Sequence, residues 1–461
     1  MKPLFKRLQT PLLVFLVLLS LTQFAIMISH SQEVSRVVRQ EVLEPPAEST
    51  FNTTHLVAPP RIYALLPNGD TALLRSSSAH YLTIWNTVLK GSLNQLRFLR
   101  PDLLQLVDED TVLDEEVGIF LMLPSPLPLD QFCTALNIEF ASFDHQVLPV
   151  INRIFVSAEK NDRVLIEDEA SDNFYKLPIT SKAEVFFNLL EITQNGVYYG
   201  LRPIDLAPYD FSAANEIYTY QQTPYVSSRS VGRAHEQNIE VIASRYFDDI
   251  TMIRTFRGAN DSLVYYDGIK TLRQLENVTR FPILELKRSA DQSLIGDRPL
   301  QALVKELTKL QLWPQRTEYI LDGLNCGKVT QGYYNLVNNG RPIFISQGDF
   351  QVTNTLKAAN QDDSLTSLWL VEPVVGTSGK QHLAFSAEYI LWSFWNQLEW
   401  VWPELKAEEI VLRDVYEGYL FSQDQKSVDL VWIIEFYNGA KVFYNMVNAE
   451  YLGRLAPLLD R

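Results

Sequence analysis

The chain of 461 residues is 46% apolar and 21% charged, a globular composition that excludes both a disordered polymer and a multi-span membrane protein. Its net charge is −15 at pH 7. Residues 1–31 hold Lys2, Lys6 and Arg7 and no acid, so the remainder carries −18 and repels nucleic acid, anionic wall polymers and anionic lipid headgroups.

The first ten residues form a short basic tail. Pro11–Ser29 (PLLVFLVLLSLTQFAIMIS) follows without a charge. As a helix it spans about 28 Å, the thickness of a bilayer core. The basic residues before it hold the N-terminus in the cytoplasm, and the bulk of the chain is expected outside. The rival, a cleaved signal peptide, fits less well, because the apolar run is long and no small-x-small cleavage site follows it. Leu16, Ser20, Gln23 and Met27 recur at helical spacing on one face, and a glutamine amide facing lipid needs a partner. This face is the candidate surface for packing on another membrane helix.

Residues 30–56 read as a proline-bearing linker. Beyond it, Asn-Gly pairs at 68–69, 339–340 and 438–439 are each flanked by strand-like runs: RIYALLP/DTALLR, YYNLVN/RPIFIS and VWIIEFY/AKVFYN. Asn and Gly tolerate the positive φ angles of two-residue hairpin turns, so antiparallel sheet is expected. Asp267-Gly268 and Asp322-Gly323 are candidates for the same role. Helical periods lie between the hairpins, at 80–89, 127–136, 182–193, 235–247, 300–312 and 387–399. The last two of three helix–strand–hairpin blocks, 298–350 and 386–447, place Gly332-Tyr333 and Gly418-Tyr419 before their Asn-Gly turns, which suggests duplication. The expected fold class is α+β: a single N-terminal transmembrane helix, then an extracytoplasmic multi-domain part of antiparallel sheets packed with helices. The expected segments are 57–178, 179–292 and 293–461.

Catalytic and metal-binding patterns are few. The six histidines form no HExxH, and there is no phosphate loop or nucleophile elbow. Ser157-Ala158-Glu159-Lys160 fits S-x-x-K and Ser171-Asp172-Asn173 spells S-D-N, but no K-T-G accompanies them. The serine also ends a strand-like run rather than starting a helix. The acidic stretch 108–116 lacks the glycine and spacing of a calcium loop and reads as solvated surface. Cys133 and Cys326 are far apart in sequence and read as small buried hydrophobes, with one bridge left open in an oxidising compartment. No enzyme, cofactor or metal is implied.

The chain resembles the YycH family of membrane-anchored regulators. The likeness runs from the basic tail, anchor and linker to the strand at Pro60-Arg61-Ile62-Tyr63. It is most telling in Tyr246-Phe247-Asp248-Asp249-Ile250 through Ile253-Arg254 to Tyr265-Tyr266-Asp267-Gly268. Phe143-Asp144 and Arg153-Ile154-Phe155-Val156 are also similar, at a wider spacing than the family's. The resemblance implies a non-enzymatic regulator of an essential Gram-positive sensor histidine kinase controlling cell-wall metabolism. It implies action through transmembrane-helix and exterior contacts, together with a YycI-like sibling membrane protein. It carries no catalytic residues. The alternative is an extracytoplasmic binding module for a cell-envelope ligand, which needs a concave apolar pocket.

Overall fold

The computed structural model describes residues 23, 53–76, 78–85, 98–99, 104–107, 117–140, 149–159, 164–169, 173–179, 184–195, 198–209, 212–213, 216–227, 229–233, 243, 246–249, 252–257, 263–275, 283–289, 300, 318–326, 330–346, 350–354, 356–361, 364–370, 373–375, 381–405, 410–422 and 427–458. Contacts divide the chain into Met1–Thr50 and Phe51–Arg461. Of the former, Gln23 alone is described, as helical and exposed. The expected anchor and the acidic stretch 108–116 otherwise lie outside the described residues. Among those residues no helix is long and apolar enough to cross a membrane.

Phe51–Arg461 is mostly β-structure with few helices, so the expected balance of helix and sheet is corrected toward sheet. Runs such as Val411–Ser422 (VLRDVYEGYLFS) and Ser427–Phe436 (SVDLVWIIEF) are rich in β-branched and aromatic residues and pair as long strands. Segments between the expected hairpins, including Ile283–Ser289 and Ser364–Leu370, also join the sheet. The described helices are short. Ala79–Thr83 is capped by Ser78, whose hydroxyl accepts from the Tyr81 amide. Leu129–Ala135, Glu184–Asn195 and the pair Ala387–Asn396 and Leu398–Val401 follow. The expected helices at 235–247 and 300–312 lie almost wholly outside the described residues.

Two large sheets dominate. The first has nine described strands in the order Tyr218–Tyr220, Tyr199–Pro203, Thr71–Arg75, Arg61–Leu65, Gly118–Pro128, Val150–Ser157, Val164–Asp168, Asn173–Lys176 and Gln105–Val107, all antiparallel. Period-two alternation gives it two faces. Ile62, Ala64, Ala72 and Leu74 belong to the core shared with the helices at 129–135 and 184–195. Tyr63 and Leu73 point the other way, with Leu201.

The second sheet runs from Ser212 to Leu455 and is mainly antiparallel. Among the described residues, its strands pair in parallel at Ser212-Ala213 on Val411-Leu412 and at Ile343–Ser346 on Tyr419–Ser422. Along the strand 427–436, Leu430, Trp432, Ile434 and Phe436 belong to the large core. Val431 and Ile433 turn into a second cluster with Phe344 and Phe443. Every residue of VWIIEF is thus buried, on one side or the other.

The turn chemistry holds at four places. Gly69, Gly268, Gly340 and Gly439 all have positive φ at hairpin turns. Asp322-Gly323 is a correction: it lies inside the strand Glu318–Cys326, at a bulge between Leu321 and Gly323. There the Asp322 carboxylate is buried against Lys441 and Asn354, so a side-chain role displaces the turn role. Gly332-Tyr333 lies on the strand entering its hairpin, whereas Gly418-Tyr419 lies one strand earlier, so the two pairs are not equivalent. Cys133 is fully buried.

One turn does more than reverse the chain. A Cβ added at Gly340 (φ +72°) would sit 2.9 Å from Arg75 Cβ and 3.0 Å from the Pro60 carbonyl, so this hairpin tip of the second sheet presses on the first. Gly69 (φ +84°) has nothing within 4 Å of that position. Gly69→Ala should therefore cost only left-handed strain, about 1–2 kcal/mol. Gly340→Ala should cost about twice that, because the tip must also lift off. Urea unfolding of the two variants checks this; equal losses would mean that the tip contact contributes nothing.

Candidate functional site

The feature that concentrates chemistry is a buried charged seam between the two sheets. Arg61 and Arg75 are direct partners across the first hairpin, on the face opposite Ile62 and Leu74. Like charges so placed repel. The second sheet supplies the answer from one strand, 411–422. Arg61 meets Asp414 at 2.9 Å and Arg75 meets Glu417 at 2.6 Å. Arg341 reaches the same Glu417 oxygen at 2.6 Å, so one carboxylate holds two guanidinium groups. Tyr63 donates to Asp414 at 3.3 Å, Tyr220 accepts from Arg75, and the Arg61 guanidinium lies 3.9 Å from the centre of the Tyr416 ring.

The seam continues along the same strand. Arg413 donates to Glu435 at 2.9 Å and crosses to the first sheet, donating to the Leu123 carbonyl at 3.1 Å and Asn152 Oδ1 at 2.9 Å. Glu435 also meets Lys441 at 3.0 Å, and Lys441, wholly buried, meets Asp322 at 3.2 Å. Asn354 donates to both Asp322 and Asn335. Burial would push the Glu417 carboxyl up, but Arg341 and Arg75 outweigh it and hold it below its ordinary value. Burial opposes Lys441 and Arg413 in the same way at Glu435, which also ends low. These carboxylates stay ionised, and burial costs are offset only because each charge is paired.

Two clefts of about 20 Å³ each open along the seam, the room of a single water molecule. Arg61, Arg75, Arg341, Glu417 and Trp432 line one; Asp322, Arg413 and Glu435 line part of the other. Small-molecule sites run to roughly 300 Å³ and more. The clustered charges clamp the two sheets, and each of these clefts leaves room for about one water.

Of the sequence-derived candidates, Leu16, Ser20 and Met27 lie outside the described residues. Ser157 closes the strand 150–157, fully buried, with its hydroxyl accepting from the Glu159 amide. Within the segment that carries the resemblance, described residues pack together. Tyr246 and Phe247 are buried, and the buried Lys270 donates to the Tyr246 carbonyl at 3.1 Å and to Asp248 at 2.8 Å. Asp267 Oδ1 caps the turn by accepting from the amides of Ile269 and Lys270. The seam itself escaped sequence reading. Its signal was the placing of arginine and carboxylate inside apolar strands, as in RIYAL, TALLR and VLRDVYEG.

Glu169 stands at the edge of the seam. Its carbonyl accepts from Tyr437, while its carboxylate oxygen Oε1 is buried without a hydrogen bond. Burial pushes this carboxyl up to about 7, against the pull of Arg413 and with help from Glu167, Glu435 and Asp168. A raised folded-state value means that the folded chain holds the proton more tightly than the unfolded one. The stabilisation is complete below the unfolded value near 4.5 and is lost as pH rises through about 7. Glu169→Gln should therefore match the native chain near pH 4 and exceed it at pH 8, by up to about 3 kcal/mol. Thermal unfolding across this range checks the prediction; parallel pH curves would contradict it.

No protein-family model matches the sequence, and no curated protein matches it. In three dimensions the chain is similar to the crystal structure of YycH from Bacillus subtilis, with a TM-score of 0.55 at 13% identity. The match covers 86% of this chain and 98% of that one. Identity so low speaks to architecture alone, and on that ground the chain has the fold of YycH.

Proposed function

We propose that this chain is a non-enzymatic, membrane-anchored regulator of a sensor histidine kinase that controls cell-wall metabolism, acting beside a YycI-like sibling membrane protein. The observation that carries the reading is the YycH-like fold across 86% of the chain. The uncharged 11–29 segment after three basic residues supports a single anchor, with the N-terminus cytoplasmic and the body outside. Segments 57–178, 179–292 and 293–461 are proposed as three parts that share sheets, since 199–203 and 218–220 lend strands to the first sheet.

The mechanism is population shift. A kinase with two helix-packing states is biased by a partner that binds one of them better. Leu16, Ser20, Gln23 and Met27 would make the membrane contact, and the seam-locked exterior would set orientation. The exposed, helical Gln23 is consistent with such a contact. The alternative, a binding module for an envelope ligand, gains no support from clefts of one-water size.

Cross-linking and co-purification of the kinase from cells tests the reading, using the full chain, Gln23→Leu and an anchor-swapped version. Association should fall with the swap and weaken with Gln23→Leu while the exterior stays folded. Undiminished association and regulation by the swapped protein would reduce the helix to a tether.

A further inference from the structure

One strand meander departs from the charge of the rest of the chain. Its strands are Arg254–Arg257 (RTFR), Leu263–Tyr266 (LVYY), Lys270–Leu275 (KTLRQL) and Ile283–Ser289 (ILELKRS), antiparallel in that order. Together they hold six lysines and arginines against one acid, Glu285, in a chain whose net charge is −15. The far side of the meander is closed, because 283–289 pairs with 364–370. The near side is not. Among the described residues Arg254–Arg257 shares a register with Leu263–Tyr266 alone. The strand that precedes it, Arg229–Arg233, is engaged with 373–375 and 427–428 instead. All four residues of RTFR are exposed.

An open strand edge presents a row of unpaired backbone N–H and C=O groups, which another extended polypeptide can match. Side chains decide which polypeptide. Successive residues face opposite sides, so Arg254 and Phe256 stand on one face and Thr255 and Arg257 on the other. Each face of the edge thus carries an arginine. Among the described residues neither guanidinium has an ion-pair or hydrogen-bond partner, whereas Lys270 in the same meander is buried against Asp248. Phe256 and Tyr266, half-exposed on the Arg254 face, add apolar contact. A second copy of the strand is a poor occupant, since antiparallel pairing of RTFR with itself sets arginine opposite arginine at both ends. A carboxylate-bearing strand meets both free cations, and the acidic remainder of the chain repels it from other surfaces.

We propose that the open edge of Arg254–Arg257 receives an acidic extended segment of a partner protein as an added strand. The backbones pair, and two carboxylates three residues apart meet Arg254 and Arg257, about 10 Å apart along the strand. The proposal deepens the regulator reading by naming the chemistry of an exterior contact, and its test requires no kinase.

The test titrates a short labelled peptide of threonine, valine and serine, with two glutamates three residues apart, into the full chain in neutral detergent. The same peptide with glutamine for glutamate, the glutamate peptide N-methylated at every interior amide, and inorganic polyphosphate are run in parallel. The glutamate peptide should bind best, and Arg254→Gln with Arg257→Gln should weaken it by about fivefold. Both side chains are exposed, so circular dichroism melting should be unchanged. A glutamate peptide that binds no better than its glutamine counterpart would overturn the proposal. So would equal binding by the N-methylated peptide or tighter binding by polyphosphate, since either reduces the site to a patch of charge. Self-association of the double variant with peptide binding unchanged would leave the arginines as guards of the edge and overturn it too. Peptide binding can fail while anchor-dependent kinase association holds, and the reverse, so the two readings fail separately.

Discussion

Two arginines face each other across the first hairpin, and the fold depends on what neutralises them. Arg61 and Arg75 are paired positions on one face of the first sheet. An isolated hairpin would suffer their repulsion and the cost of hiding both charges. Asp414 and Glu417, from a single strand of the second sheet, remove both penalties when the sheets close. Buried ion pairs are poor sources of net stability but costly to break, which makes them better at selecting one arrangement than at strengthening it. Here the selected arrangement is the register of one sheet against the other. Arg341 on Glu417 and Arg413 on Asn152 and Leu123 extend the same constraint in both directions.

The strands that carry these charges also carry the outer surface. Phe436 ends the 427–436 strand against Phe394 and Trp402 of the helix-pair region, at 5.6 and 5.7 Å. The Trp432 indole donates to the Phe385 carbonyl at 2.8 Å while its ring meets Tyr220 of the first sheet. Seam, sheet and helix pair are thus successive layers of one packed body. Packed interiors shift between discrete arrangements rather than deforming smoothly. An exterior contact on such a body would act on the whole of it, which is what the proposed regulatory role requires.

Much of this was legible in the sequence, for identifiable reasons. Positive-φ chemistry is local, so Asn68-Gly69, Asn339-Gly340 and Asn438-Gly439 announced their hairpins. The helices at 129–135, 184–195 and 387–396 followed from apolar period. Asp322-Gly323 misled because the same dipeptide serves equally in a bulge, and the partner that settles the matter, Lys441, is remote in sequence. The extent of sheet was underestimated because 356–361 and 364–370 form a hairpin without an Asn-Gly signal, and their outer partners, 330–334 and 283–289, are remote in sequence. The seam was illegible for the same reason: Arg75 and Glu417 are neighbours only after both sheets exist.

The claim that the seam locks the sheets into one body is tested most directly by native-state hydrogen exchange on the full chain. The amides to compare are those of 61–65 and 71–75 in the first sheet and 427–436 in the second, in the native chain and in Glu417→Gln. The account predicts that both sheets open together in the native chain, with one common free energy. It predicts that Glu417→Gln releases the first hairpin while 427–436 stays protected. A first hairpin that already exchanges independently in the native chain would contradict it.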